Sequence, residues 1–163
     1  MLKKPLRLAV VSCGAIAQAH LRGIAACEDA ELVAVVSRDE ARRQKAAEAF
    51  GAKRAYADFE EVLKDDEVDG VVICSPNFLH FPFAMKALQA GKHVLTEKPI
   101  ADSYEDGVSL VEEAERRGLR LMSSQNSRYL AAMRRAREML LSGEIGRPLH
   151  LLYTLTAWYE GPA

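Results

Sequence analysis

Short apolar runs alternate with longer amphipathic segments between residues 6 and 123. The apolar runs have no polar alternate face, which is typical of parallel strands covered on both sides of a sheet. We predict strands at residues 6–11, 32–36, 71–74, 93–96 and 119–122, with a weak edge strand near 54–56. Strands that alternate with helices in this way predict an α/β fold with a doubly wound parallel sheet.

The amphipathic segments between these strands have recognisable ends. We predict helices at residues 39–50, 82–90 and 104–117. Each of them stops directly before a glycine, at Gly51, Gly91 and Gly118. Glycine adopts the left-handed conformation in which many helices end, so these three glycines have a structural role.

The pattern changes after Ser123. We predict an amphipathic helix at 129–142, a turn-rich link at 143–148 and a strand at 149–156. Residues 1–124 are therefore predicted to form one domain. Residues 125–163 are predicted to form a connecting helix and the first strand of a second α+β domain, which we expect to be incomplete.

Composition and charge exclude several classes of function. Of the 163 residues 28% are charged, yet the net charge is −1, so the chain has no basic surplus for nucleic-acid phosphates. The apolar runs are too short to cross a bilayer, and we expect a cytoplasmic protein without a membrane partner. Three widely spaced cysteines, without a CxxC pair, predict neither a metal site nor a disulfide framework.

The first predicted strand leads into a tight turn, Ser12-Cys13-Gly14-Ala15-Ile16-Ala17. A dinucleotide-binding fold has GxGxxG at this place, and here Gly14 and Ala17 occupy the second and third glycine positions. Ser12 replaces the first glycine, so the turn alone fits an ordinary strand-to-helix turn equally well. As a phosphate site it would offer backbone N–H groups and the positive end of a helix dipole.

The end of the second strand bears on the choice of nicotinamide cofactor. NAD-selective sites have an acidic residue there, which bonds the ribose hydroxyls, whereas this chain has Ser37 and Arg38. A guanidinium can pair with a 2′-phosphate, so NADP(H) is favoured. Asp39 leaves NAD(H) open, because a shift of one residue would present a carboxylate instead. Solvated charges at a helix start are the alternative interpretation of this cluster.

Two later segments resemble one family strongly. They are Ser75-Pro76-Asn77-Phe78-Leu79-His80 and Ala90-Gly91-Lys92-His93-Val94-Leu95-Thr96-Glu97-Lys98-Pro99. Both resemble motifs of the Gfo/Idh/MocA oxidoreductases, the family of glucose-fructose oxidoreductase and inositol dehydrogenase. The resemblance runs from about residue 6 to 156 and implies a Rossmann NAD(P)-binding domain at residues 1–124.

The resemblance also implies roles for individual residues. Lys98 is the implied catalytic residue, placed to bond the reacting oxygen, with Pro99 following through a cis peptide bond. His80 is implied to lie along the cofactor, although a histidine beside a helix start can simply bond a backbone carbonyl. The residues that we expect to bind cofactor are Ser12, Cys13, Gly14, Ala15, Ile16, Ser37, Arg38, Cys74, Ser75, Pro76, Asn77, His80, Glu97, Lys98, Gln125 and Arg128.

The function implied by the resemblance is hydride transfer between NADP(H), or NAD(H), and a hydroxyl or carbonyl carbon of a sugar, polyol or related substrate. We expect the full-length protein to be a homo-oligomer. The family's remaining catalytic pair would lie beyond Ala163, so we expect this stretch to bind dinucleotide without appreciable turnover. The alternatives are a non-catalytic dinucleotide sensor and a methyltransferase, against which the Glu97-Lys98-Pro99 segment argues.

Overall fold

The fold is a parallel sheet with helices on both faces. The computed structural model describes residues 4–152 and 154. Within them the six strands run in the order β3-β2-β1-β4-β5-β6, and every neighbouring pair is parallel. This order is the doubly wound one, in which the chain leaves β1 in both directions. The strands are β1 Leu6–Val11, β2 Ala30–Val36, β3 Arg54–Tyr56, β4 Gly70–Ile73, β5 His93–Thr96 and β6 Leu121–Ser123.

The strands bury both of their faces because successive side chains point to opposite sides of the sheet. Val10 of β1 packs into one apolar cluster and Val11 into the other. In β4, Val72 joins the cluster of Val10, and Ile73 that of Val11. Continuous apolar runs are therefore what this sheet requires, and the predicted α/β fold is confirmed.

The helices divide between the two clusters. Buried residues of α1 and α2 belong to the cluster of Val10, whereas those of α3, α4 and α5 belong to the cluster of Val11. The described helices are α1 Ala15–Ala25, α2 Glu40–Phe50, α3 Phe59–Leu63, α4 His80–Gln89, α5 Tyr104–Arg117 and α6 Ala131–Ser142. Gly51 and Gly118 end α2 and α5 with φ of 70° and 66°, as predicted.

Several element bounds differ from the predicted ones. Strands β2 and β6 begin at Ala30 and Leu121 instead of residues 32 and 119, α6 begins at Ala131 instead of 129, and α4 is capped by Ala90 rather than ending directly before Gly91. Three further corrections have identifiable physical causes. Helix α4 begins at His80, two residues before the predicted start, because a short 3-10 turn at Asn77–Leu79 leads directly into it. The five-residue α3 was missed, since a helix this short shows no apolar periodicity. No strand forms at residues 149–152 and 154 of the predicted 149–156 strand, and its other residues lie outside the described part. A strand needs a hydrogen-bonded neighbour, which an apolar sequence alone does not supply.

The chain divides into two compact units, residues 1–125 and residues 126–163. The division lies one residue from the predicted domain boundary. In the second unit, Arg135 pairs with Glu144 at 3.0 Å, and Gly143 ends α6 with φ of 75°. None of the helices described here is long and apolar enough to traverse a lipid bilayer.

Candidate functional site

Three of the predicted segments meet at the carboxyl edge of the sheet. Val11, the last residue of β1, is in register with Ile73 of β4, which is in turn in register with Thr96 of β5. Three segments follow these three strand ends. They are the turn of residues 12–17, named here the phosphate turn after its predicted role, the Pro-Asn loop of residues 75–80, and the Glu-Lys-Pro segment of residues 97–99. The carboxyl edge beside the central strand, from which the chain winds both ways, is where open α/β sheets bind ligands.

The phosphate turn leaves open space above its glycine. Ser12 adopts φ of 76°, a left-handed conformation that costs a residue with a Cβ on the order of 1 kcal/mol, and its N–H donates to Val36 O at 2.8 Å. Gly14 has an ordinary φ of −75°, and a Cβ added there would come no closer than 3.9 Å to Ser12 Oγ. Neither the backbone conformation nor packing within the chain therefore requires glycine at position 14.

Helix α1 starts at this turn without a side-chain cap. Gly14 is the N-cap residue and has no side chain to accept from the N–H groups of the first turn, where Ala15 and Ile16 are exposed. Uncapped N–H groups at a helix N-terminus favour an anion. The turn thus has the open backbone and the free donors that a pyrophosphate would use.

The two cysteines of the predicted site are buried and unreactive. Burial raises the pKa of the Cys13 thiol, and it raises the pKa of the Cys74 thiol to about 12. Both side chains are therefore uncharged at neutral pH and pack in the apolar cluster of Val10. Any contact of these residues with a ligand would use backbone atoms rather than sulfur.

The charged side chains after the end of β2 differ in whether they have partners within the protein. The Asp39 carboxylate caps α2 by accepting from Arg42 N at 3.0 Å, and it pairs with Arg42 Nε at 3.2 Å. Arg38 is exposed, and its guanidinium makes no hydrogen bond or ion pair with any described residue. The Asp39 carboxylate is thus engaged by its own helix, whereas the Arg38 guanidinium has no such partner, and both residues line the same cavity.

Arg43 belongs to this cluster, but the sequence pointed to it only as a solvated charge of the helix start and not as a residue of the site. Its Nη1 donates to the carbonyl oxygen of Ser37, while its Nε is buried without a hydrogen-bond partner. Its position in the sequence could have indicated it, since Arg43 lies one turn into α2, the helix that starts beside the end of β2. The buried, unsatisfied N–H marks Arg43 as a second guanidinium with capacity for an acceptor.

A cavity of about 850 Å³ opens between the ends of β1, β2 and β4. Five predicted residues line it, together with apolar side chains of α3, α4 and the Pro-Asn loop. These five are Ser12, Ser37, Arg38, Ser75 and Pro76. The Oγ of Ser75 is buried and has no hydrogen-bond partner in the described part of the chain. One cavity is thus lined by a residue with an unsatisfied hydroxyl and by a residue with an unpaired guanidinium, groups that a polar ligand would satisfy.

Cys13, Gly14 and Ala15 line a second groove of about 540 Å³, whose other side includes Arg42 and Lys45 of α2. The two openings therefore divide the predicted phosphate and ribose residues between them. Neither is lined by the remaining predicted residues, which are Ile16, Cys74, Asn77, His80, Glu97, Lys98, Gln125 and Arg128.

The imidazole of His80 bonds the backbone of two loops. Its Nδ1 lies 2.6 Å from Pro99 O and its Nε2 lies 2.9 Å from Ser75 O, and the residue is only 1% exposed. A contact of the ring with the cofactor is untested and stays a prediction. Lys92 of the second motif is also structural, because its buried Nζ donates to Asp65 O and Val68 O at 2.8 Å.

Glu97 is held by donors from three parts of the fold. His20 Nε2 of α1 lies 2.8 Å from Glu97 Oε1, the Ser124 side chain donates to the carboxylate, and Lys98 N donates to Oε2 at 3.3 Å. Burial raises the pKa of the Glu97 carboxyl, but these hydrogen bonds outweigh burial and hold the pKa below its usual value. His20 and Ser124 were not predicted, since nothing in their local sequence links them to Glu97.

Lys98, in contrast, faces solvent. The side chain is exposed, its ammonium has no partner among the described residues, and the Lys98–Pro99 peptide bond is cis as the resemblance implied. Asn77 and Gln125 are likewise exposed. Arg128 lies in the second unit, where its guanidinium stacks 5.7 Å from the ring centre of Tyr129.

The family described as "Oxidoreductase family, NAD-binding Rossmann fold", GFO_IDH_MocA, matches residues 6–125. The chain belongs to this family. The match covers all six strands of the sheet and both motifs that carried the resemblance.

Similar proteins include dehydrogenases and a reductase. The 4-carboxy-2-hydroxymuconate-6-semialdehyde dehydrogenase of a Sphingobium species is 31% identical over 86% of this chain and 44% of its own length. The structure of scyllo-inositol dehydrogenase from Lactobacillus casei with NAD(H) and scyllo-inositol has a TM-score of 0.82 and 28% identity, over 88% of this chain and 43% of that one.

The structure of KijD10, a 3-ketoreductase from Actinomadura kijaniata, in complex with TDP-benzene and NADP has a TM-score of 0.81 and 33% identity, over 88% of this chain and 45% of that one. The chain thus spans less than half the length of these relatives. Its relatives include both an NAD(H) complex and an NADP complex.

Proposed function

We propose that this chain is the cofactor-binding portion of an NADP(H)-dependent oxidoreductase. Its reaction would be hydride transfer to or from a CH–OH or C=O carbon of a sugar, polyol or related substrate. The observation that carries the choice of cofactor is the difference between the neighbouring residues Arg38 and Asp39. Both residues line the cavity, but the Arg38 guanidinium has no partner among the described residues, whereas the Asp39 carboxylate caps its own helix and pairs with Arg42.

The residues present fit a dinucleotide. The phosphate turn has an open glycine and uncapped N–H groups for the pyrophosphate. The apolar wall of the cavity suits an adenine ring, and the unpaired guanidinium of Arg38 suits a 2′-phosphate beside it. The proposed binding set is the one predicted from sequence, with Arg43 added as a second guanidinium near the 2′-phosphate.

A bound nicotinamide supplies the hydride chemistry, and this chain's residues orient it and handle the substrate oxygen. Lys98 is the proposed catalytic residue, since its ammonium is exposed and unpaired beside the end of β5. A cation there can bond the reacting oxygen and stabilise negative charge that develops on it. A sugar or polyol substrate is proposed because relatives are named for inositol and for a TDP-bound ketoreductase.

Fluorescence titration of the purified chain with NADPH and NADH tests the cofactor proposal, and S-adenosylmethionine tests the methyltransferase alternative. We expect NADPH to bind more tightly than NADH. Arg38→Ala narrows the difference in binding free energy between NADPH and NADH by about 1 to 3 kcal/mol, the value of a charged hydrogen bond. Arg22→Ala, an exposed arginine in the last turn of α1, is the control and leaves the difference unchanged. Equal affinities for both cofactors in the unmodified chain contradict the proposal.

A non-catalytic dinucleotide sensor would share this binding behaviour. Turnover separates the two functions, because a sensor binds the cofactor without oxidising or reducing a substrate. The decisive measurement is absorbance at the nicotinamide band with a panel of polyols.

A further inference from the structure

The Glu97 carboxylate is fully engaged by the protein itself. Its side chain is 8% exposed, and it accepts hydrogen bonds from His20, from Ser124 and from the Lys98 backbone N–H. A buried carboxylate keeps its charge only where donors replace the lost water. Three donors at this site do so, and together they hold the carboxylate in one orientation.

The His20–Glu97 hydrogen bond joins two functional segments that are distant in sequence. His20 lies in the second turn of α1, the helix whose first turn offers its N–H groups at the phosphate turn. Glu97 directly precedes Lys98 and follows the last residue of β5. The bond between them is 2.8 Å long, and the two side chains are 13% and 8% exposed. A rigid contact of this kind fixes the helix and the turn relative to each other.

The Lys98 ammonium has no hydrogen bond or ion pair among the described residues, and the Lys98 backbone N–H donates to Glu97 Oε2 at 3.3 Å. The backbone on either side is held by the bond from Glu97 N to Ile73 O and by the contact between His80 and Pro99 O. The Glu97 carboxylate is therefore the side chain that bears directly on the orientation of the Lys98 peptide unit. The orientation of this carboxylate in turn depends on His20, whose Nε2 bonds the other carboxylate oxygen.

We propose that His20 is a positioning residue that sets the orientation of Lys98 through the Glu97 carboxylate. It thereby couples the phosphate turn to the turn that carries the proposed catalytic lysine. The functional part of this inference rests on the proposed dinucleotide site. The contact itself does not, so it can be tested on the chain without a cofactor.

The first experiment follows the Lys98 amide in ¹H–¹⁵N NMR spectra of the 163-residue chain as pH is lowered. An amide that donates to a carboxylate shifts when that carboxylate is protonated, so the Lys98 signal reports the ionisation of Glu97. In the unmodified chain we expect a midpoint below that of an ordinary glutamate. Removing the donor in His20→Ala moves the midpoint to higher pH, and His20→Gln, which keeps an N–H donor, restores it.

Two control variants make the result decisive. In Glu97→Gln the pH-dependent shift of the Lys98 amide disappears, because the titrating group is gone. His150→Ala, a change at an exposed histidine of the second unit, leaves the midpoint unchanged. The proposal is overturned if His20→Ala and the unmodified chain share one midpoint, or if the shift persists in Glu97→Gln. Should His20→Ala not fold, His20→Leu, which removes the donor but keeps apolar bulk in the helix, takes its place with the same expected midpoint shift.

The second experiment adds NADP⁺ to the same samples. We expect binding at the phosphate turn to shift the Lys98 amide in the unmodified chain and in His20→Gln. In His20→Ala most of that shift is lost, while the Kd for NADP⁺ changes by less than about threefold. A chain that does not bind NADP⁺ contradicts the proposed function and leaves the pH experiment to judge the contact. A full Lys98 shift in His20→Ala at saturating NADP⁺ shows that His20 does not position the lysine.

Discussion

Replacing His80 with phenylalanine should destabilise the protein measurably, although the ring keeps a similar size. The imidazole is 1% exposed and lies between two carbonyl oxygens, Pro99 O at 2.6 Å and Ser75 O at 2.9 Å. Phenylalanine removes every N–H at this place and leaves the carbonyls without that donor. Phenylalanine is also somewhat larger, so crowding against the two carbonyl groups adds to the cost of the lost hydrogen bonding.

The magnitude follows from the number of bonds lost. A neutral imidazole carries one N–H, so at least one buried carbonyl oxygen loses its donor, at a cost of about 1 to 3 kcal/mol. A chain of this length loses about 2 to 4 °C of Tm per kcal/mol. We therefore expect His80→Phe to lower Tm by about 2 to 12 °C. A loss of this size is a substantial share of the roughly 5 to 15 kcal/mol that stabilises a domain.

Thermal and urea unfolding followed by circular dichroism measure this effect. The matched control is His150→Phe, the same substitution at an exposed position, which should change the free energy of unfolding by no more than about 0.5 kcal/mol. If His80→Phe is as stable as the unmodified chain, the two hydrogen bonds do not stabilise the fold and the reasoning fails. A loss confined to the control position would contradict it equally.

Three other predictions concern catalysis, packing and pH. Where turnover is measurable, Lys98→Met lowers kcat about a hundredfold or more with little change in cofactor Kd, and unchanged turnover removes Lys98 from the mechanism. Leu110→Ala empties space in the core beneath α5, where the side chain is 0% exposed, and lowers the free energy of unfolding by about 2 to 5 kcal/mol in urea titrations. The hydrogen bond from Arg7 lowers the pKa of the Asp69 carboxyl in the folded protein. The contribution of Asp69 to the free energy of unfolding is therefore complete above its pKa in the unfolded chain, about 3.9, and is lost as pH falls through its lower pKa in the folded protein. Asp69→Asn should therefore flatten the fall in urea midpoint below about pH 4, and an equally steep fall would show that Asp69 is not responsible.

The parallel sheet and the place of its site could be predicted from the sequence alone. Local rules decide both, since buried parallel strands need continuous apolar runs and helices need caps and glycine ends. The edge strand Arg54–Tyr56 and helix Tyr104–Arg117 form with the predicted bounds. The turn between β1 and α1 could be located because strand, small residues and helix start are neighbours in the chain, and its phosphate-binding role stays a prediction. The family membership could be predicted because each of the two motifs, at residues 75–80 and 90–99, is contiguous in the chain.

Contacts between distant segments were decided only by the tertiary structure. His20 and Glu97 are 77 positions apart, and no local pattern links them. The partners of the charged side chains beside the cavity also depended on the fold, because the Asp39 carboxylate caps α2 while the Arg38 guanidinium has no partner among the described residues. Residues 149–152 have a strand-like sequence yet form no strand, since pairing requires a partner in space. Sequence pattern specifies what each segment prefers, whereas the fold determines which side chains meet and which remain free for a ligand.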